Sequence, residues 1–284
     1  GVTTIRRSDG GNDRRVVVIT HSGAVLDGFT VRDGYNWKTY KQGVGVCLAA
    51  GTVQNCWITA NSSGGWGEAN NGVGMYVGAG GVVSNCQVYG NDAPVQNTGG
   101  GIYLDGGTVR WSTIRNNTMD GWYSGGGGAG IFSTSPNSLV ESCVIRENNL
   151  YALGGGAGYC GPGTLRNCLI VGNTASGPST PGGGVYGSAV LENCTVVGNS
   201  ATAGGGGVDG ATVNNSIVYF NTGQNWSGGS FAYSCSTPLP GGAGNIAADP
   251  LFAGAVTNNY RLQVKQTVSP CIDKGTNHAW MATA

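Results

Sequence analysis

The amino-acid sequence predicts an all-β parallel β-helix of about eight coils, followed by an extended C-terminal segment. Three observations carry that reading. An eleven-residue pattern recurs eight times, a glycine run leading into an apolar pair precedes most copies, and 55 of the 284 residues are glycine. Ordinary proteins hold roughly 7% glycine, so this chain is built around many tight corners. Glycine does not fall at every third position, as collagen requires. Successive copies are 22 to 31 residues apart, which leaves room for short strands but not for a helix in every unit.

The first element of each unit is a short strand entered through glycine. Its copies are Gly74-Met75-Tyr76, Gly101-Ile102-Tyr103, Gly130-Ile131-Phe132 and Gly184-Val185-Tyr186, with weaker ones at Gly45, Gly158 and Gly207. The eleven-residue pattern follows. Its third position holds Leu26, Val53, Val83, Val109, Val140, Leu165, Leu191 and Val213. The sixth holds Phe29, Cys56, Cys86, Ser112, Cys143, Cys168, Cys194 and Ser216, and the eighth is always Val or Ile, from Val31 to Val218. Small and β-branched residues at these positions suit inward ladders, where one coil stacks on the next at about 4.8 Å. The eleventh position is Gly34, then Asn61, Asn91, Asn117, Asn148, Asn173, Asn199 and Asn221. Asparagine tolerates left-handed backbone, and its amide can bond to the asparagines above and below, so this position predicts a corner held by a side-chain ladder. An immunoglobulin-like sandwich would not repeat one residue template in register. The helix is expected over residues 1–224, with 225–284 packing along it or capping it. Both chain ends read as cut from a longer protein.

These repeats, Val-x-Asn-Cys-x-Ile/Val-x-Gly-Asn and Gly-Gly-Gly-Val/Ile-Tyr, resemble the right-handed parallel β-helix proteins of the pectate-lyase-like superfamily. More narrowly, they are similar to large secreted or surface β-helix proteins of environmental bacteria. Tyr233-Ser234-Cys235, Asp249-Pro250-Leu251-Phe252 and Ser269-Pro270-Cys271-Ile272-Asp273 look like the segment that follows the last coils in those proteins. The resemblance implies an extracellular or cell-surface setting rich in carbohydrate. The superfamily includes polysaccharide lyases and hydrolases, but none of their catalytic motifs is found, so no catalytic residue carries over.

Charge narrows the function classes. Fourteen basic and fourteen acidic residues cancel, and charged residues are 10% of the chain. A nucleic-acid partner acting on a basic face is not expected. No run of apolar residues is long enough for a membrane span. No metal or cofactor is expected: no Cys-x-x-Cys occurs, and His21 and His278 lie at opposite ends. The five cysteines at the sixth position read as small buried side chains. Cys235 and Cys271, in the C-terminal segment, are the disulfide candidate.

The remaining candidates face outward or lie in loops. Arg110, Glu141, Arg166 and Glu192 occupy the fourth position on successive coils and predict a ladder of alternating charge. Arg115 and Arg146 would stack as like charges, inviting an anion or nearby Glu147. Leu169, Val171, Val197, Ile217 and Tyr219 form an apolar strip, covered either by the chain's own C-terminal segment or by another subunit. The variable loops carry Trp66, Glu68, Trp122, Tyr123, Tyr151 and Trp226, which either pack the loops or contact glycans. Asp92 and Asp120, on adjacent coils, are the best available pair of carboxylates for catalysis. Two functions follow. One is a non-catalytic extracellular module, structural, adhesive or filament-forming, whose partners are further copies of itself, end to end or side by side, or an extracellular polysaccharide. The other is a polysaccharide lyase or glycoside hydrolase working in a loop-lined groove.

Overall fold

The computed structural model describes residues 3–7, 13–36, 42–64, 71–94, 98–121, 127–265 and 267–283. The chain winds into a parallel β-solenoid whose coils each cross three sheets in the same order. One coil shows the path. Ile102–Asp105 and Thr108–Arg110 lie in a sixteen-stranded sheet, Thr113–Arg115 in a ten-stranded sheet, and Thr118–Gly121 in an eight-stranded sheet. We call these the wide, middle and narrow sheets. Each strand pairs in parallel with its counterpart one coil away, as in Val88↔Ile114, Ile114↔Ile145 and Ile145↔Ile170. Equivalent residues therefore stand in columns.

Side chains alternate in and out along each strand. The third, sixth and eighth positions point inward: Val83, Cys86 and Val88 are buried, as are Val140, Cys143 and Ile145. They belong to one continuous core running from Ile19 to Phe231. Each enclosed Val or Ile contributes about 1.5–3 kcal/mol.

The Cys/Ser column does more than fill space. Cys56 N–H donates to Cys86 Sγ at 3.4 Å, Cys86 N–H to Ser112 Oγ at 3.0 Å, and Cys194 N–H to Ser216 Oγ at 2.9 Å. This corner needs a small side chain that also accepts a hydrogen bond, which explains why serine replaces cysteine in some coils. Burial drives the Cys168 thiol well above its usual range.

The asparagine column forms an unbroken ladder. Asn91 Nδ2 donates to Asn117 Oδ1 at 2.9 Å, Asn117 to Asn148 at 3.0 Å, Asn148 to Asn173 at 2.9 Å, and Asn173 to Asn199 at 2.9 Å. Asn61 and Asn221 extend it in both directions, and Asn225 Oδ1 accepts from Asn221 at its end. One expectation is corrected. Left-handed backbone falls not on these asparagines but one residue earlier, at Ala60, Asn116, Glu147 and Phe220, and again at Asn55, Asn85, Asn167, Asn193 and Asn215. The ladder side chains must point inward along the axis, so the sharp turn is made by their neighbours.

Solenoid strands continue past residue 224. Trp226–Ser227, Ser230–Ala232 and Cys235–Ser236 add a final rung to the wide and middle sheets. The chain then folds back on that rung. Tyr233 N–H donates to Ala243 O, Ser236 N–H to Ile246 O, and Ile246 N–H to Ser234 O. The rung's backbone groups are thus taken by the protein's own chain. At the opposite end, Val18 and Val25 on the first rung are exposed.

Candidate functional site

Three outer faces hold the candidate residues. The wide sheet carries a feature that sequence reasoning passed over. In Met75–Ser84 and Ile102–Asp105, inward Met75, Val77, Ile102 and Leu104 alternate with outward Tyr76 and Tyr103. Register stacks Tyr76, Tyr103 and Phe132 on three successive coils. Tyr76 and Tyr103 lie 5.8 Å apart at 23°, and Tyr103 and Phe132 lie 5.5 Å apart at 39°. Asp105 stands at the column's side, accepting from Tyr76 Oη at 3.0 Å and from Thr134 Oγ1 at 3.1 Å. Burial, helped by this carboxylate, pushes the Tyr76 phenol up to about 12. Tyr76 is buried, while Tyr103 and Phe132 are half-buried, so the part of this aromatic rail open to solvent spans about two coils, with hydrogen-bonding groups along one edge. The signal was present in the sequence as a Tyr or Phe at a fixed offset from the glycine runs. The next coil interrupts the rail: Tyr159 turns inward and is fully buried, donating to Pro162 O at 2.5 Å, while Cys160 takes the outer place. Gly163, at φ +123°, leaves room for that phenol, since a Cβ there would lie 2.5 Å from it. Tyr186 resumes the outer column.

On the same sheet, Arg110, Glu141, Arg166 and Glu192 stand in register. Arg166 Nε and Glu192 Oε2 pair at 2.7 Å, and His278 Nδ1 lies 3.8 Å from Glu192 Oε1. Trp280 sits under the Arg166 guanidinium at 5.3 Å. Asn215 holds the adjoining tail at both ends of its amide, donating to Thr276 O and accepting from Thr276 N–H at 2.9 Å. The last turn of the chain is therefore fastened to this ladder.

The middle sheet carries the apolar strip and the stacked arginines. Arg115 and Arg146 are register partners. Their repulsion is relieved separately: Arg115 lies 4.4 Å over the Tyr89 ring, and Arg146 Nη1 pairs with Glu147 Oε2 at 2.8 Å. The antiparallel hairpin Phe252–Gly254 and Asn259–Leu262 lies against the later coils. Phe252 packs 6.3 Å from Phe220, which itself meets Tyr219 edge-on at 4.8 Å. Tyr260 and Asn258 close a cavity of about 510 Å³ over Val144, Leu169 and Val171, with Arg146 and Glu147 at its rim. Val197 is buried, and Ile217 lines a second cavity beneath Leu262. The chain's own C-terminal segment lies over the strip.

The narrow sheet presents Asp92 and Asp120. Both project outward and are exposed. They do not face each other: Asp92 opposes Thr118, and Asp120 opposes Pro94. Thr118 Oγ1 donates to Asp92 at 2.5 Å. The two aspartates stand one coil apart and offset by two residues, roughly 8 Å between Cα atoms from the strand spacings. That suits the wider carboxylate separation of inverting hydrolases. Neither lies in the apolar enclosure that a general acid requires.

Of the loop aromatics, Trp66, Glu68, Trp122 and Tyr123 lie outside the described residues. Tyr151 is not in a loop but in the strand Asn149–Ala152 of the narrow sheet, in register with Asp120. Trp226 is engaged internally, packing 5.3 Å from Phe231 and donating Nε1–H to Pro238 O at 2.9 Å. Among the described residues no group of three or more His, Cys, Asp or Glu is placed to hold a metal ion. No helix among them is long and apolar enough to cross a membrane.

Comparison with curated proteins and with solved structures gave no match to this chain. The family model described as the right handed beta helix region matches residues 15–239, from the first strands of the wide sheet to the end of the last coil. The stacked registers and the inward ladders agree with that match, and the chain belongs to the right-handed parallel β-helix family.

Proposed function

We propose that the chain is a non-catalytic β-helix module that works outside the cell or at its surface and holds polysaccharide against its wide sheet. The observation that supports this most is the half-buried pair Tyr103 and Phe132, backed by buried Tyr76, with Asp105 and Thr134 beside it. Sugar rings present apolar faces to aromatic rings and hydroxyls to carboxylates and threonine. A rail running along the solenoid axis suits a linear chain better than a single sugar.

Electrophoresis through gels containing soluble neutral or acidic polysaccharides tests the reading. Migration of the wild-type protein is expected to be retarded by at least one of them. Tyr103→Ala removes one of the two solvent-reaching rings of the rail and is expected to weaken retention about tenfold. Trp226→Ala, away from the rail, should leave retention unchanged. Uniform migration in every gel would end the proposal. The second reading, hydrolysis at Asp92 and Asp120, is favoured only by their spacing. It takes over if reducing ends appear during incubation and vanish in Asp92→Ala.

A further inference from the structure

Nine cysteines are free, and only Cys271 is more than slightly exposed. Five of the others lie in the inward column. Cys235 does not: its register with Ile217 places it on the outer column of the middle sheet, at the last rung. Its side chain therefore leaves the core and meets the folded-back C-terminal segment, with Sγ 3.1 Å from Ala248 O. Cys271 approaches from that segment. Its position is set by Ser269, whose Oγ donates to Pro250 O at 2.6 Å and accepts from Cys271 N–H at 3.1 Å. Both thiols line one cavity of about 130 Å³, together with Ile217, Ile246, Leu262 and Lys274. The neighbouring Cys235 thiol and Ser269 lower Cys271 below the usual thiol range, while the proximity of Cys271 and burial raise Cys235. The two cysteines have unequal roles: the reachable one is the better nucleophile, and the buried one lies behind it.

We propose that Cys235 and Cys271 form a thiol–disulfide exchange site that reacts with a low-molecular-weight disulfide and closes into an internal disulfide. The Cys271 thiolate attacks one sulfur of the reagent, the reagent's S–S bond breaks, and one thiolate leaves and takes up the proton lost from Cys271. Cys235 then loses its proton and attacks the Cys271 sulfur. The mixed disulfide breaks, and the second reagent thiol departs. The protein pair is oxidised by two electrons, and the reagent is reduced to two thiols. The new bond ties the last coil to the tail that covers the apolar strip and grips Asn215 and Glu192. This inference is independent of polysaccharide binding.

The test is to incubate the folded, reduced chain with oxidised glutathione and measure its intact mass after quenching with acid. The expected product has lost two hydrogens. Its tryptic map joins the Cys271 peptide to the 167–261 peptide. Because that peptide also holds Cys168 and Cys194, a second digestion with chymotrypsin, which cuts between them and Cys235 at Tyr219 and Tyr233, places the bond on Cys235. Cys235→Ser should stop at a glutathione adduct on Cys271, and Cys271→Ser should not react. The oxidised wild type should melt several degrees above its reduced form. If either variant fails to fold, the wild-type map and melting shift still decide. A stable glutathione adduct on wild-type Cys271, a link between any other pair, or no reaction would overturn the proposal.

Discussion

Replacing Asn148 with alanine is expected to cost about 3–5 kcal/mol of stability, the penalty of leaving several buried polar groups without partners. Asn148 is almost fully enclosed. Its Nδ2 donates to Asn173 Oδ1 at 2.9 Å and to Ile114 O at 3.1 Å, and its Oδ1 accepts from Asn117 N–H at 3.1 Å and from Asn117 Nδ2 at 3.0 Å. Alanine removes all four bonds and strands the Asn117 donors where water has little access. Each coil touches only its neighbours, so the damage should be local. Amide exchange should quicken first in the coils holding Asn117 and Asn173, and urea unfolding should lose its single step. Asn116→Ala is the control. Asn116 adjoins the ladder residue Asn117 and is left-handed, but its side chain accepts only from Arg115. Its loss should cost about 1 kcal/mol, the difference between asparagine and alanine in that conformation. Equal losses at the two positions would show that the ladder is not what holds the corner.

Gly130→Ala is expected to be at least as damaging, at about 3 kcal/mol or more, and to reduce the yield of folded protein. Gly74, Gly101, Gly130, Gly158 and Gly184 form a column beside the asparagine ladder. A Cβ on Gly130 would lie 2.5 Å from Gly158 O and 2.9 Å from Asn148 Nδ2. The first contact is with backbone of the next coil, and the second is with the ladder itself, so neither can yield without opening the stack. Gly158 repeats the geometry against Gly184 O at 2.5 Å. Gly154 offers the contrast: a Cβ there meets nothing within 4 Å. Gly154→Ala should be neutral, or stabilising by about 0.4–1 kcal/mol through the unfolded chain. Thermal melts of the two variants side by side separate close packing from glycine content as the cause.

Both predictions trace to the same source. The repeat template placed Asn148 and Val140 in their columns without a structure, because a residue that must stack on itself has to recur at every coil. The identity of the corner residue was legible, but its backbone was not. Left-handed geometry falls on Asn116 and Glu147 because the ladder amide must turn inward, and a sequence does not record which of two adjacent residues makes a turn. Cysteine at the sixth position read as apolar filling. Its hydrogen bonding became visible only when Ser112 and Ser216 proved to accept the same backbone N–H.

The candidate sites were harder to read than the fold. Tyr76, Tyr103 and Phe132 were on the page as strand residues, yet their meeting depended on registers in which loops of unequal length return to the same rung. Asp92 and Asp120 were matched by coil, but their strands place them diagonally. The sequence alone determined the solenoid, its ladders and its columns, since these follow from local periodicity and the fixed spacing between strands. Tertiary structure alone decided what covers the middle sheet, which aromatics meet, and that Cys235 faces Cys271. Those contacts join residues far apart in the chain through a non-repeating tail, and no periodic signal can encode where such a tail comes to rest.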